Sequence, residues 1–139
     1  MPAFDFASAA DKHYSLAVTM QRAPDCTAEL TLLPSREGGK TNAVCSGYRP
    51  HVAVHENYQT SAVHEFIGVE QLEPGHTAVA RVWLLTPEVY PKCLWPGRSL
   101  AVFEGSRRVG TLVVREVQNP LLAGDERMFN PVWSPPEGA

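Results

Sequence analysis

The sequence predicts an all-β fold, either an antiparallel barrel or a sandwich, and three observations support this prediction. The chain has 139 residues with 44% hydrophobic and 19% charged content, which suits one ordinary domain. Its twelve prolines and ten glycines are too many for long helices and favour short strands separated by turns. Apolar and polar residues alternate in several segments with no clear helical segment between them. Together these observations argue against an all-helical bundle.

Five segments have the pattern of strands. In the first, Ala28 and Leu30 alternate with polar residues, and Pro34 ends the pattern. The strongest segment follows a Pro74-Gly75 pair that suits a type II turn, and Pro87 stops it. The last two flank a short glycine-containing connection typical of a hairpin. In chain order the five segments are Cys26–Leu32, His51–His55, Thr77–Leu85, Leu100–Phe103 and Val109–Val117.

Both ends of the chain are harder to assign. Ser8–Asp11 has the S-x-x-D pattern of a helix start, whereas apolar residues alternate at positions 16, 18 and 20 as in a strand, so residues 1–25 form an unassigned extension. Residues 26–119 form the predicted barrel, and residues 120–139 a proline-rich, extended tail. Because exposed aromatic residues on a solvated tail would be unusual, we expect three of its side chains to dock on the barrel: Met128, Phe129 and Trp133.

The charge and cysteine content bound the environment of the protein. A formal net charge of -3 gives no global field toward phosphate backbones or anionic lipid, so we expect neither a membrane nor a DNA partner. No apolar run of about 18 residues is present, and Asp5 precedes any basic residue, unlike a secretory signal. The three cysteines form no C-x-x-C pair, and their odd number favours a reducing compartment. We therefore expect a cytoplasmic protein.

The motifs that suggest catalysis or a cofactor are incomplete. Gly39-Lys40-Thr41 invites a phosphate-loop interpretation, but the first glycine of that loop would fall at Pro34, which has no N–H to offer. Cys45 and His51 suggest a thiolate and a base, yet no motif supplies an orienting third group or an oxyanion site. We expect Cys45 to be a small buried side chain. The sequence thus predicts a protein that is not an enzyme and has no cofactor.

The histidines do not have the spacing of a metal site. His51 and His55 share one strand face, but four residues along a strand span about 13 Å, too far for one tetrahedral ion. Solvated surface histidines are the favoured interpretation. For Trp83, inside the strongest strand, core packing is favoured over ligand stacking.

Basic residues recur at the predicted turns. They form either a solvated rim or one electropositive strip, and both interpretations stay open. These residues are Arg36, Lys40, Arg49, Arg98, Arg107 and Arg108.

Three groups of residues, in this order and spacing, resemble parts of the C-terminal barrel of bacterial elongation factor Tu. The groups are Glu37-Gly38-Gly39 followed by a basic residue, Tyr48-Arg49-Pro50, and Glu104-Gly105 with Arg107, Val109 and Gly110; Pro74-Gly75 is a weaker fourth. The resemblance spans about residues 26–119 and implies a six-stranded antiparallel Greek-key barrel of that type. Residues 1–25 and 120–139 have no counterpart in it, so a specialised function is expected there.

The resemblance also implies a function. In that family the GTPase chemistry belongs to a separate domain, and the barrel contacts the T-stem of aminoacyl-tRNA through positions that match the Glu104-Gly105 turn and His51. It implies a non-catalytic module without GTPase activity that binds tRNA-like RNA or a translation-related protein. The alternative is a protein-interaction module that mimics the factor's barrel, such as a toxin-neutralising or regulatory protein. The candidate partner-binding residues are Lys40, Arg49, His51, Arg98, Glu104, Gly105, Arg107 and Arg108.

The hairpin turn yields two structural expectations. Gly105 is predicted to adopt a positive φ, which a β-branched residue would tolerate poorly. Arg107 and Arg108 should project to opposite sides of their strand, so at most one of them can face a given partner.

Overall fold

Residues 20–135 are described by a computed structural model and fold into eight β-strands with three short 3-10 turns. The strands are β1 (Cys26–Leu32), β2 (Val44–Cys45), β3 (His51–His55), β4 (Tyr58–Ile67), β5 (Gln71–Leu72), β6 (Thr77–Leu84), β7 (Ser99–Glu104) and β8 (Arg107–Val117). The 3-10 turns are Ser35–Glu37, Pro87–Val89 and Glu126–Met128. The possible helix start at Ser8–Asp11 lies outside the described residues.

Six strands form a closed antiparallel barrel in the order β1-β6-β4-β3-β7-β8, so the all-β prediction is confirmed and the ring excludes a sandwich. The chain passes through β3, β4 and β6, which are neighbours in the ring. It then returns through residues 85–98, so that β7 pairs with the free side of β3. This arrangement is a Greek key. Strands β2 and β5 pair separately outside the barrel.

Alternating side chains fill the barrel. Ala28 and Leu30 of β1 face inward and lie opposite Ala80 and Ala78 of β6. Trp83 is fully buried, as predicted, but it faces outward, and its indole N–H donates to the carbonyl of Arg22 at 3.0 Å. The apolar faces that the periodicity predicts for β1 and β6 are thus the faces that line the barrel interior.

Strand β4 was not predicted from the sequence. It has ten residues, yet its buried side chains include the polar His64 and Glu65 on successive positions, which removes the apolar–polar alternation. His64 faces the interior, pairs in register with Val82, and its Nδ1 donates to the carbonyl of Ala62 at 2.9 Å. Burial lowers the pKa of His64 to about 4.

The predicted turns are present. Gly75 has φ +86° and the N–H of His76 donates to the carbonyl of Glu73 at 3.1 Å, as a type II turn requires. Gly105 has φ +65° in the turn that joins β7 to β8, where Glu104 pairs with Arg107. Glycine is needed here for its backbone conformation, because no atom lies within 4 Å of an added Cβ.

Two expectations about polar side chains are wrong. Cys45 is exposed rather than buried, because β2 turns Val44 inward and leaves Cys45 outside. His55 and His64 are buried rather than solvated, His55 because a β-bulge after Ala53 changes which face it occupies. No helix within residues 20–135 is long and apolar enough to cross a bilayer.

Candidate functional site

Most of the candidate partner-binding residues lie at one end of the barrel, here called the hairpin end. It consists of the loop 35–40, the β7–β8 turn and the start of β3, where His51 pairs with Phe103 next to Glu104. The residues that the structure brings to this end are Lys40, Arg49, His51, Glu104, Gly105, Arg107 and Arg108.

Glu104 links the loop, the hairpin and the entry to β3. It forms an ion pair with Lys40 Nζ at 2.8 Å and accepts a hydrogen bond from the Tyr48 hydroxyl at 2.6 Å. Partial burial acts to raise the pKa of Glu104, but the bonds from Lys40 and Tyr48 and the charge of Arg107 outweigh it, so this pKa lies below its usual value. Burial and the bond to Glu104 raise the pKa of Tyr48. The negative charge of Glu104 therefore compensates most of the positive charge of Lys40.

Arg107 joins the hairpin to the loop. Its Nε donates to the carbonyl of Gly38 at 3.0 Å, and its Nη2 donates to the carbonyl of Gly39. Gly38 has φ +86°, which closes the 3-10 turn before it. The guanidinium thus fixes the loop against β8 by charge-assisted hydrogen bonds.

Arg108 behaves differently from its neighbour. Its Nε donates to its own strand at Gly110 O, at 3.2 Å, and its Nη2 to Thr111 Oγ1 at 2.8 Å. The two arginines therefore have separate sets of partners.

Two further arginines at this end are exposed and make no ion pair within the described part of the chain. Arg36 lies on the loop, and Arg49 lies between Tyr48 and Pro50 at the start of β3. Glu37, on the same loop as Arg36, and Glu104 are the acidic residues of the hairpin end, against five basic residues: Arg36, Lys40, Arg49, Arg107 and Arg108. The turn that includes Glu73 lies beside this loop, since Gly75 N donates to Leu32 O. This part of the rim has a local excess of positive charge on a mildly acidic protein.

Arg98 lies at the opposite end. It precedes β7, whereas Glu104 ends that strand, so the two are separated by about 20 Å of strand. Its guanidinium carbon lies 4.8 Å from the ring centroid of Trp95 and 4.5 Å from that of Phe129. One strip that includes Arg98 with the other basic residues is therefore not formed.

The C-terminal segment docks at this second end. Phe129 and Trp133 pack against the core, as the sequence predicted, whereas Met128 is 84% exposed and its predicted docking is wrong. Met128 closes a 3-10 turn whose three residues are all solvent-facing, so its side chain borders the barrel end without covering it. Leu122 is fully buried, within a stretch that the sequence assigned to the tail.

Within residues 20–135, the cysteine and histidine side chains can be compared with the thiolate–base pair and the metal site that the sequence invites. Cys45 is exposed on β2, and among the described residues no hydrogen bond joins it to His51. Burial raises the pKa of Cys26 and of Cys93 to about 12, so both thiols are protonated at neutral pH. Within residues 20–135, no group of three or more His, Cys, Asp or Glu side chains is arranged to hold a metal ion.

No family model matches the chain.

Sequence reasoning missed the role of Tyr48 as a partner of Glu104, and it named Arg36 among the basic turn residues but not among the candidate partner-binding residues. The signal for the first was present, since both residues belong to the quoted motifs, but their contact joins positions 56 residues apart. Such a contact follows only from the strand order of the barrel.

Proposed function

We propose that this chain is a non-catalytic binding module of the elongation factor Tu C-terminal barrel type, and that its hairpin end binds structured RNA such as tRNA. One observation carries the proposal. The three groups of residues on which the resemblance rests meet at this end: Tyr48 bonds Glu104, and Arg107 bonds the carbonyls of Gly38 and Gly39. Motifs far apart in sequence thus form one connected surface.

The chemistry of this surface suits a phosphate backbone. Arg36 and Arg49 are exposed and have no ion pair among residues 20–135, and Arg108 is exposed and bonds only its own strand. Guanidinium groups bind phosphate oxygens in a bidentate manner, and a rigid loop reduces the entropy lost on binding. Glu104 acts here as a positioning residue, because Lys40 and Tyr48 already occupy its carboxylate.

The test is a fluorescence anisotropy titration of labelled tRNA with the full chain at about 50 mM and about 200 mM salt. Binding through two or three phosphates should weaken by about 10- to 40-fold over this range. Replacement of both Arg36 and Arg49 by alanine should weaken binding at low salt by about tenfold or more. Arg115→Ala is the matched control, since Arg115 is an exposed arginine of β8 paired with Glu29 at 2.6 Å.

An absence of tRNA binding at low salt would remove the RNA proposal. Equal losses for the Arg36/Arg49 double variant and for Arg115→Ala would remove the assignment to the hairpin end.

A protein-interaction module that mimics the factor's barrel is the second candidate. The observation in its favour is that Lys40 and Arg107 are engaged inside the protein, which leaves fewer free cations than the sequence suggested. A pull-down with and without ribonuclease separates the candidates. Stoichiometric recovery of one protein after ribonuclease supports the second, and recovery that depends on RNA supports the first.

A further inference from the structure

Residues Phe129–Trp133, here called the C-terminal strap, cross the barrel end opposite the hairpin. Four of the strap's main-chain atoms are held by β3 and the β3–β4 turn. His55 Nδ1 donates to Asn130 O (3.1 Å), Glu56 N to Pro131 O (2.8 Å), Asn57 Nδ2 to Trp133 O (3.0 Å), and Trp133 N to Asn57 Oδ1 (2.7 Å). Because these hydrogen bonds use main-chain atoms of the strap, a segment with other side chains in the same conformation can form them too, as in peptide-binding grooves.

Two aromatic side chains anchor the strap. The ring of Phe129 stacks on His55 with centroids 4.7 Å apart and meets Trp95 edge-on at 5.2 Å, while Arg98 lies over it. Burial lowers the pKa of His55, so the ring is neutral at neutral pH and offers an apolar face.

The second anchor position selects tryptophan. The indole of Trp133 meets Tyr58 edge-on at 4.4 Å, and its Nε1 donates to Val89 O at 3.0 Å. Phenylalanine would lose this hydrogen bond.

The strap leaves part of this groove empty. Two clefts of about 220 and 310 Å³ border it, the first beside Phe129 and the second beside Trp133, and His55 and Asn130 line both. Met128 is 84% and Val132 50% exposed, so the apolar side chains beside the clefts do not fill them. A segment with other side chains at these positions would bury more surface in the same groove.

The strap can leave without opening the barrel. No strap residue belongs to the barrel strands, and the preceding residues keep their own bonds, from Lys92 N to Leu121 O and from Gly124 N to Leu94 O. If the strap dissociated, the chain would therefore stay bound to the barrel as far as about Gly124.

From these contacts we propose that the groove formed by the β3–β4 turn and the loop that contains Pro87–Val89 is a docking site for a protein partner. The partner contributes an extended segment with an aromatic side chain followed four residues later by tryptophan. The strap occupies the groove as a competitor from the same chain. This inference is independent of RNA binding at the hairpin end, which lies about 20 Å away along β7.

The experiment uses the full chain and a fluorescein-labelled synthetic peptide with the sequence of residues 126–135. Trp133→Ala weakens the strap but leaves the groove intact, so this variant should bind the peptide at least about tenfold more tightly than the unmodified protein. Val132→Ala is the matched control and should resemble the unmodified protein, because Val132 is half exposed. Adding Asn57→Ala to Trp133→Ala should remove most of the gain, as should replacement of both aromatic residues in the peptide.

Three results would overturn the proposal. One is equal peptide affinity of Trp133→Ala and the unmodified protein, and another is tight binding that persists without Asn57. The third is a concentration-dependent dimer in light scattering that exchanges straps, since a second copy would then be the occupant. If Trp133→Ala does not fold, Trp133→Phe replaces it. That variant keeps an aromatic ring but loses the indole bond to Val89 and some ring contact, so it should gain about threefold in peptide affinity, and no gain would overturn the proposal.

Discussion

The two ends of the barrel are held together by different forces. At the hairpin end, Lys40, Glu104 and Arg107 connect a loop to a turn through charged hydrogen bonds. At the strap end, the contacts are stacked rings and bonds to main-chain atoms, with Phe129 and Trp133 as anchors. Charged surface contacts respond to salt, whereas aromatic contacts respond to the loss of buried area. The difference predicts a salt-sensitive recognition surface at one end and a salt-insensitive one at the other.

Both ends also depend on a glycine that allows two backbones to approach. A Cβ on Gly39 would overlap the carbonyl oxygen of Leu33, and one on Gly124 would overlap that of Lys92. Lys92 itself has a positive φ of 59°, which is uncommon for a non-glycine residue. Each end therefore contains a position where side-chain volume is not tolerated, and Gly110 of β8, whose added Cβ would overlap Thr31 O, is a further one near the hairpin end.

The largest expected effect comes from filling these positions. Gly39→Ala and Gly124→Ala should each lower the free energy of unfolding by about 2–3 kcal/mol, because backbone must move to accept the Cβ. Gly105→Ala is the matched control: it has a positive φ but open space, so it should cost about 1 kcal/mol. Thermal denaturation followed by circular dichroism measures all three. Equal effects at the three glycines would contradict the close approach at both ends.

The next effect concerns pH and the barrel interior between the two ends. His64 is fully buried with a folded-state pKa of about 4, whereas its unfolded value is about 6.5, so between these values the unfolded chain binds more protons. Stability therefore falls as pH decreases from about 6.5 toward 4, by about 1–2 kcal/mol between pH 7 and pH 5. Urea denaturation at the two pH values measures the change.

His64→Phe is the control for this pH dependence. It removes the titrating ring and should flatten the dependence between pH 7 and pH 5, even if the repacked interior changes the absolute stability. A variant that keeps the full pH dependence would assign it to other groups, among them His55, whose pKa is lowered in the same direction.

Local sequence signals were sufficient for much of the barrel. Strands β1 and β3 have the predicted bounds, Cys26–Leu32 and His51–His55, because their apolar residues alternate and proline or turn residues flank them. The positive φ of Gly75 and Gly105 also followed from local turn chemistry. The alternation failed in β4, where His64 and Glu65 are buried by tertiary packing on both faces.

The sites could be predicted less well, since they depend on contacts between distant segments. The sequence grouped Arg98 with the other basic residues because all of them flank strands, but β7 separates it from Arg107. It named Phe129 and Trp133 as docking residues without their partners, because the contact with Asn57 joins positions 76 residues apart. Periodicity specifies which face a residue occupies and gives no information about which segment covers that face.

The smallest expected effect separates the neighbours Arg107 and Arg108. Arg107→Ala releases the carbonyls of Gly38 and Gly39 and should cost about 1 kcal/mol of unfolding free energy, whereas Arg108→Ala loses only bonds within its own strand and should cost less than about 0.5 kcal/mol. In tRNA binding the order should reverse at low salt: both arginines are exposed, but Arg107 is held by the loop carbonyls, whereas Arg108 bonds only its own strand and can turn toward a phosphate. Chemical denaturation and anisotropy titration on the same preparations measure the two quantities. Equal and negligible effects of both variants on binding would leave the hairpin as a plain strand connection, and the comparison between the two ends would then rest on the strap alone.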